Sequence, residues 1–265
     1  MPKVGVVISM LEKHDLTRKC IDSVITHAGI DCDIVVIDDG SIVPYKDDRV
    51  KIVRFDKPHG NTHSMNEGIK FFDNKYDYIV NLDNDVILTH NAFKYLVDVM
   101  EANPILALVG SARLRKIDGR MILIGQGIDL IGRAEEVEMS KDDTDACIWL
   151  SGCSVMLRSS VIREIGMYDK RFKNYCQDAE WCLRAILNDY RSAVVHMSRV
   201  YHLGSGTIEK TGNTLIDDRN VLLKIVSCDR TQEILRVLPL DHKLNQWGKL
   251  TFNMFNKPKE NHVKP

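Results

Sequence analysis

Short apolar runs and amphipathic stretches take turns through the first hundred residues, and that alternation restricts the fold more than any other feature. VGVVISM (4–10), DIVVIDDGS (33–41), KIVRF (51–55) and YDYIVNLDNDV (76–86) have the length and β-branched content of strands. Between them HDLTRKCIDSVITHAG (14–29) places Leu16, Cys20, Ile21, Val24 and Ile25 at helical spacing, with Gly29 as its stop. NTHSMNEGIKFF (61–72) and HNAFKYLVDVMEANP (90–104) read as the next two helices. This order predicts an α/β fold on a largely parallel sheet. Ligands of such sheets collect at the C-terminal ends of the strands. Two acidic clusters fall there, Asp38-Asp39-Gly40-Ser41 and Asp83-Asn84-Asp85.

Beyond residue 105 the pattern changes. ILALVGSARL, MILIGQGIDLIG and CIWLSGCSVMLRS read as strands joined by polar or glycine-containing turns. SSVIREIG reads as a short helix and DAEWCLRAILNDY (178–190) as a longer one. SAVVHMSRVYHL (192–203) returns as a strand, and a helix is expected from Thr211 to about Cys228. No internal repeat is visible. The formal net charge of the 265 residues is -1, without the basic excess of a nucleic-acid binder. No apolar run is long enough to span a bilayer. MPKVGVVISM lacks the basic start and small-residue cleavage site of a signal peptide and is read as the first strand. Cys147 and Cys153, like Cys176 and Cys182, are spaced too widely for zinc knuckles, so the thiols are expected to be reduced core residues in a cytoplasmic setting.

Two carboxylates flanking one residue at a strand end can hold a hard divalent cation, which in turn can bridge a diphosphate. A lone D-x-D is equally a solvated strand end, since Asp and Asn are common turn residues. Asp39, at the end of another strand, can accept hydrogen bonds from a nucleobase or a ribose, or can simply build an Asp-Gly turn. GNTHSMNEG (60–68) opens a helix, but neither a P-loop nor a G-x-G-x-x-G follows any strand.

Taken in order, these pieces resemble the family 2 glycosyltransferases, enzymes of the GT-A fold. The pieces are Asp38-Asp39-Gly40-Ser41, Gly60…Asn66-Glu67-Gly68 and Asp83-Asn84-Asp85, then Trp149-Leu150-Ser151-Gly152…Arg158 and Gly166-Met167-Tyr168-Asp169-Lys170-Arg171-Phe172, and finally Gln177-Asp178-Ala179-Glu180 with Arg184. They span roughly residues 3–220, and the later strands with Arg219-Asn220 look most like the rhamnosyltransferase-like branch. The resemblance implies a Rossmann-like mixed sheet flanked by helices. It implies a GT-A domain over residues 1–230, with a nucleotide-binding half (1–105), an acceptor half (106–230) and a C-terminal extension (231–265). It implies Mn²⁺ or Mg²⁺ on Asp85 and Asp83 with His202 as a third ligand, and a nucleotide-diphospho-sugar donor. Asp39, helped by Asp38, would face the base. Ser9, Asn66, Asp83, Trp149, Gly152 and Glu180 are carried over as substrate contacts.

Transfer with inversion needs a base for the acceptor hydroxyl. By the same resemblance that base is Asp178, although Gln177 stands where the family carries its first acid. On the bare sequence Asp178 is a helix N-cap, and Glu180 and Arg184 are an i, i+4 ion pair. Trp149 and Trp181 fit either a sugar face or core packing. ISMLEKHD departs from the polar motif that members often carry after the first strand. The expected activity is inverting, metal-dependent transfer from a UDP- or dTDP-sugar, rhamnose among the candidates, to a glycan or lipid-linked glycan. The alternative is a non-catalytic nucleotide- or glycan-binding module on the same scaffold. A sugar nucleotidyltransferase ranks behind both, because VVISMLEKHD has no glycine-rich basic loop. HKLNQWGKLTFNMFNKPK mixes apolar residues with lysine, a composition that fits an arm packed on the domain or a membrane-surface contact.

Overall fold

The four apolar runs form parallel strands in a computed structural model of the chain, which describes residues 1–72, 75–117, 120–128, 134–138, 144–147, 150–203 and 214–226. β1 (Val4–Met10) leads through α1 (His14–His27) to β2 (Cys32–Asp38), then β3 (Lys51–Arg54), α2 (Asn61–Phe72) and β4 (Tyr78–Asp83). Gly29, at φ 77, takes the left-handed conformation that ends the first helical segment. The strands lie in the order β3-β2-β1-β4, all parallel. Their register sets where the acidic strand ends lie. Met10 pairs with Asp38, and Ser9 pairs with both Ile37 and Asp83, so the acidic strand ends finish level with each other on either side of β1.

YDYIVNLDNDV is two strands, not one. β4 stops at Asp83, and after a turn β5 (Val86–Leu88) leaves its neighbour for the far end of the sheet. There follow α3 (Ala92–Ala102), β6 (Leu106–Ile117), β7 (Arg120–Ile128), β8 (Ala134–Glu138), β9 (Thr144–Cys147) and β10 (Ser154–Arg158). The described chain closes with α4 (Ser159–Ile165), α5 (Gln177–Leu187), β11 (Arg191–His202) and α6 (Thr214–Val226). The full path is β3-β2-β1-β4-β10-β6-β11-β5. β10 runs antiparallel to both β4 and β6, and β5 antiparallel to β11. The sheet is therefore parallel in its first half and mixed in its second, which corrects the largely parallel reading. CIWLSGCSVMLRS is likewise divided: β9 pairs with β11, β10 with β4, and Ser151-Gly152 lies between them.

Alternation along β1 feeds two cores. Val6 and Ile8 pack with α1 and α3 residues such as Ile21, Val24, Phe93 and Leu96 on one face. Val7 packs with Met65, Ile69 and Phe72 of α2 and with Trp181 of α5 on the other. The period of two along a strand makes this division automatic. α2 lies unusually close to β1. A Cβ at Gly5 would stand 2.6 Å from the Phe72 ring, and one at Gly68 would strike both methyls of Val7. Gly68 is thus a packing requirement of the α2–β1 contact. Gly68→Ala is expected to lower unfolding stability by about 1–3 kcal/mol, read from the midpoint of a urea or guanidinium transition. An unchanged midpoint would mean that α2 can lift from the sheet at no cost.

Candidate functional site

β4 gives out at Asp83 because the chain must turn. The turn is held from three sides. The Asp83 N–H donates to the Cys153 carbonyl at 2.9 Å. From α1, the Cys20 thiol lies 3.5 Å from the Asp83 carbonyl, and Thr17 Oγ1 accepts from Asn84 Nδ2 at 3.0 Å. On the far side β5 pairs with the end of β11, Val86 opposite His202, and the Leu203 N–H donates to the Asp85 carbonyl at 3.0 Å. Backbone pairing thereby delivers His202 to the acids. His202 Nε2 is 3.1 Å from Asp85 Oδ1 and 3.8 Å from Asp83 Oδ2.

One ligand atom from each of Asp83, Asp85 and His202 lies within 4.8 Å of the others. Burial pushes the Asp83 carboxyl up to about 6; His202 pulls it back, and the charges of Asp85 and Asp178 add to the rise. Burial draws His202 down, but its hydrogen bond to Asp85 and the charges of both aspartates outweigh that and raise it. A set of two carboxylates and one imidazole suits a divalent cation.

Asp178 lies in the first turn of α5, one residue inside the helix. The capping position belongs to Cys176, at φ 64, so the N-cap reading of Asp178 is corrected. Asp178 Oδ1 accepts from the Ala179 N–H at 2.9 Å, and Oδ2 accepts from the Gly152 N–H at 2.6 Å. Burial raises its proton affinity while these two donors hold it back. A Cβ at Gly152 would come within 3.3 Å of Asp178 Oδ2, so the small residue lets the backbone approach the acid. Gly152 thus meets Asp178 while the next residue, Cys153, holds Asp83. One turn therefore holds the Asp178 carboxylate and the Asp83 backbone.

Most of the other sequence candidates make contacts within the protein. Asp38 is fully buried: Oδ1 accepts from the Ser41 N–H at 2.9 Å, and Oδ2 from the Tyr45 N–H at 3.1 Å and from Arg54 Nη1 at 2.5 Å. Burial works against its charge, yet these bonds prevail and hold its carboxyl below the usual range. So enclosed, it supports the loop and does not face a ligand. Asp39 accepts from the His59 and Gly60 N–H groups, both at 2.8 Å, and ties the loop after β3 to the end of β2. Asn66 bonds both backbone groups of Tyr168, at 2.9 and 3.0 Å, and is buried. Glu180 pairs with Arg184 at 2.7 Å, and Arg184 reaches the Ile165 and Met167 carbonyls, so this ion pair braces the turn before Tyr168. Trp181 is core, with its Nε1–H donating to the Gly166 carbonyl at 2.8 Å. Ser9 is half-buried beside Asp83. Trp149 lies outside the described residues.

The sequence reading passed over several participants. Asn81 is two residues before Asp83 on the same face of β4, and its Nδ2 donates to the Tyr168 hydroxyl at 2.6 Å; the strand period marks it. Glu12 and Lys13 are both left-handed, at φ 58 and 62. Glu12 clamps the loop after β2, its carboxylate accepting from the Ile42 N–H at 2.7 Å and its own N–H donating to Ser41 Oγ at 2.9 Å. The departure in ISMLEKHD is therefore a built loop.

The family model described as Glycosyl transferase family 2 matches residues 5–166. Over 175 residues the chain is 23% identical to a poly-beta-1,6-N-acetyl-D-glucosamine synthase of Staphylococcus epidermidis, covering 63% of this chain and 42% of that protein. Over 194 residues it is 23% identical to an uncharacterized glycosyltransferase of Rickettsia typhi, covering 65% and 55%. The chain spans about half the length of these curated relatives. Among solved structures it is similar to GalNAc-T7 with UDP, GalNAc and Mn²⁺, at TM-score 0.70 and 15% identity over 96% of this chain and 56% of that one. It is also similar to residues 1–349 of TarS from S. aureus, at TM-score 0.58 and 13% identity over 96% and 73%. The shared architecture is the GT-A fold.

The Asp38 arrangement yields a test of stability. Asp38→Asn is expected to destabilise the chain by about 2–3 kcal/mol at neutral pH, because it breaks a buried charge pair and misplaces a donor. A depressed carboxyl stabilises the fold above its unfolded value and loses that contribution as pH falls through its folded value. The gap between wild type and variant should therefore be constant above about pH 5 and narrow below about pH 4. Denaturant transitions across that range measure it; a gap that widens toward acid would contradict the assignment.

Proposed function

We propose, from the premise that the chain belongs to glycosyl transferase family 2, that it moves a sugar from a nucleotide-diphospho-sugar to a hydroxyl of a glycan acceptor, with inversion and with a divalent cation. The observation that carries the reading is the cluster of Asp83, Asp85 and His202, joined to Asp178 through the Gly152-Cys153 turn. A UDP-sugar with Mn²⁺ is the first choice of donor. It is supported by the donor set and by the UDP and Mn²⁺ of the GalNAc-T7 structure. A dTDP-sugar such as dTDP-rhamnose is second. The S. epidermidis relative suggests a polysaccharide as the acceptor class.

In this reading Asp85, His202 and Asp83 hold the cation, which when bound neutralises charge on the diphosphate. Asp39 and Ser9 line the nucleoside side, at the ends of β2 and β1. Asp178 takes the proton of the acceptor hydroxyl as that oxygen bonds to the anomeric carbon and the bond to the diphosphate oxygen breaks. The Gly152 and Ala179 N–H groups keep its carboxylate fixed before and after. Burial raises the proton affinity of Asp178, which suits a base. Residues 1–105 supply the nucleotide-binding half and 106–230 the acceptor half. No helix among the described residues is long and apolar enough to cross a membrane. A cytoplasmic setting goes with the reading. The C-terminal segment read as a membrane contact or packed arm lies outside the described residues.

A thermal-shift panel of UDP, dTDP, GDP and CDP, each with and without Mn²⁺, tests it. One uridine or thymidine diphosphate should raise Tm with concentration only when Mn²⁺ is present, and Asp85→Ala should abolish the shift. Asp178→Asn should keep the shift and lower transfer on the order of 10²–10⁴-fold. Transfer at the wild-type rate by that variant would remove Asp178 from the role of base. No shift with any nucleotide would favour the binding-module alternative for another ligand.

A further inference from the structure

Asp218 of α6 is 2% exposed, and no step above uses it. Its carboxylate accepts three consecutive backbone N–H groups: Lys173 at 2.9 Å on Oδ1, then Asn174 at 2.8 Å and Tyr175 at 2.9 Å on Oδ2. Charge-assisted bonds of this kind fix a loop more firmly than neutral ones. The loop is the one that leads into α5. Cys176 follows it in the left-handed conformation, and Asp178 comes two residues later. A non-glycine residue is held left-handed only where its surroundings over-determine it. Asp218 supplies that determination on one side, and the packing of Leu222 with Phe172, Cys176 and Ala179 seats α6 in the core.

The same loop reaches the nucleotide half. The Asn61 N–H donates to Asn174 Oδ1 at 2.9 Å, and the Thr62 N–H donates to the Lys173 carbonyl at 3.0 Å. Asn174 Nδ2 donates to Thr214 Oγ1 at 3.2 Å, and Asp39 holds His59 and Gly60 just before. A continuous hydrogen-bonded path therefore runs from Asp39 through the start of α2 to residues 173–175, and on to Asp218.

We infer that Asp218 is a positioning residue: it clamps the 173–175 loop so that α5 presents Asp178 to the Gly152 N–H and to the acceptor. Its catalytic consequence rests on the reading of Asp178 as base; the clamp itself does not. Asp218→Asn is nearly isosteric but turns an amide NH₂ toward backbone donors. Hydrogen exchange of the full-length variant should accelerate about tenfold or more at residues 173–183 and at Gly152. Mn²⁺ binding and exchange of the β1 and β4 amides should stay unchanged. Turnover of donor should fall on the order of 10–100-fold in kcat with the donor KM unchanged.

Unchanged exchange at 173–183 would overturn the inference. Loss of protection throughout the sheet would overturn it too, since Asp218 would then hold the fold and not the acid. Asn174→Ala, which spares the carboxylate, provides a milder second variant. It should speed exchange at residues 59–62 while 176–183 stay protected; equal acceleration in both would assign the clamp to α2. Because exchange is read without an acceptor, a failed base assignment in Asp178→Asn leaves this result standing on its own.

Discussion

The pairing of β5 with the last residues of β11 is the contact on which the site depends. The chain of β4 does not continue in line past Asp83. It turns instead, and β5 finds its partner at the opposite edge of the path. Two backbone facts then place His202: its pairing with Val86, and the bond from the Leu203 N–H to the Asp85 carbonyl. Neither depends on the side chains that would bind a cation. The scaffold therefore sets the ligand positions in advance, and a bound ion need not draw distant segments together.

The cost of this arrangement is electrostatic. Asp85 and Asp178 are buried and Asp83 is half-buried beside them; desolvation and the other two charges push the Asp83 carboxyl up. Protein groups meet this charge: His202 meets Asp85 and Asp83, while the Gly152 and Ala179 N–H groups meet Asp178. Two carboxylates and an imidazole at preset positions form a set that suits a divalent cation.

Strand ends and helices in the first hundred residues were legible because apolar period and Gly or Pro punctuation agree there. Asp83, Asp85 and Asp178 stood out as acids where a strand ends or a helix begins. The antiparallel insertion of β10 between β4 and β6 was not legible, since a strand's pattern does not state its direction. His202 looked like any half-buried histidine, and only the resemblance singled it out. Asp38, Asn66 and Glu180 show the opposite difficulty. Each is a polar residue at a motif position, and each bonds backbone groups or an arginine (Arg54 for Asp38, Arg184 for Glu180), a partnership that sequence spacing reveals only for Glu180. Asp218 left no signal, because its partners lie in a loop that precedes it by some forty positions in the chain.

Pulsed electron paramagnetic resonance of Mn²⁺ added to the metal-free chain tests the central claim most directly. The account predicts ¹⁴N modulation from one coordinated imidazole, present in the wild type and lost in His202→Ala. Mn²⁺ bound with no nitrogen coupling, or with coupling that survives in His202→Ala, would contradict it.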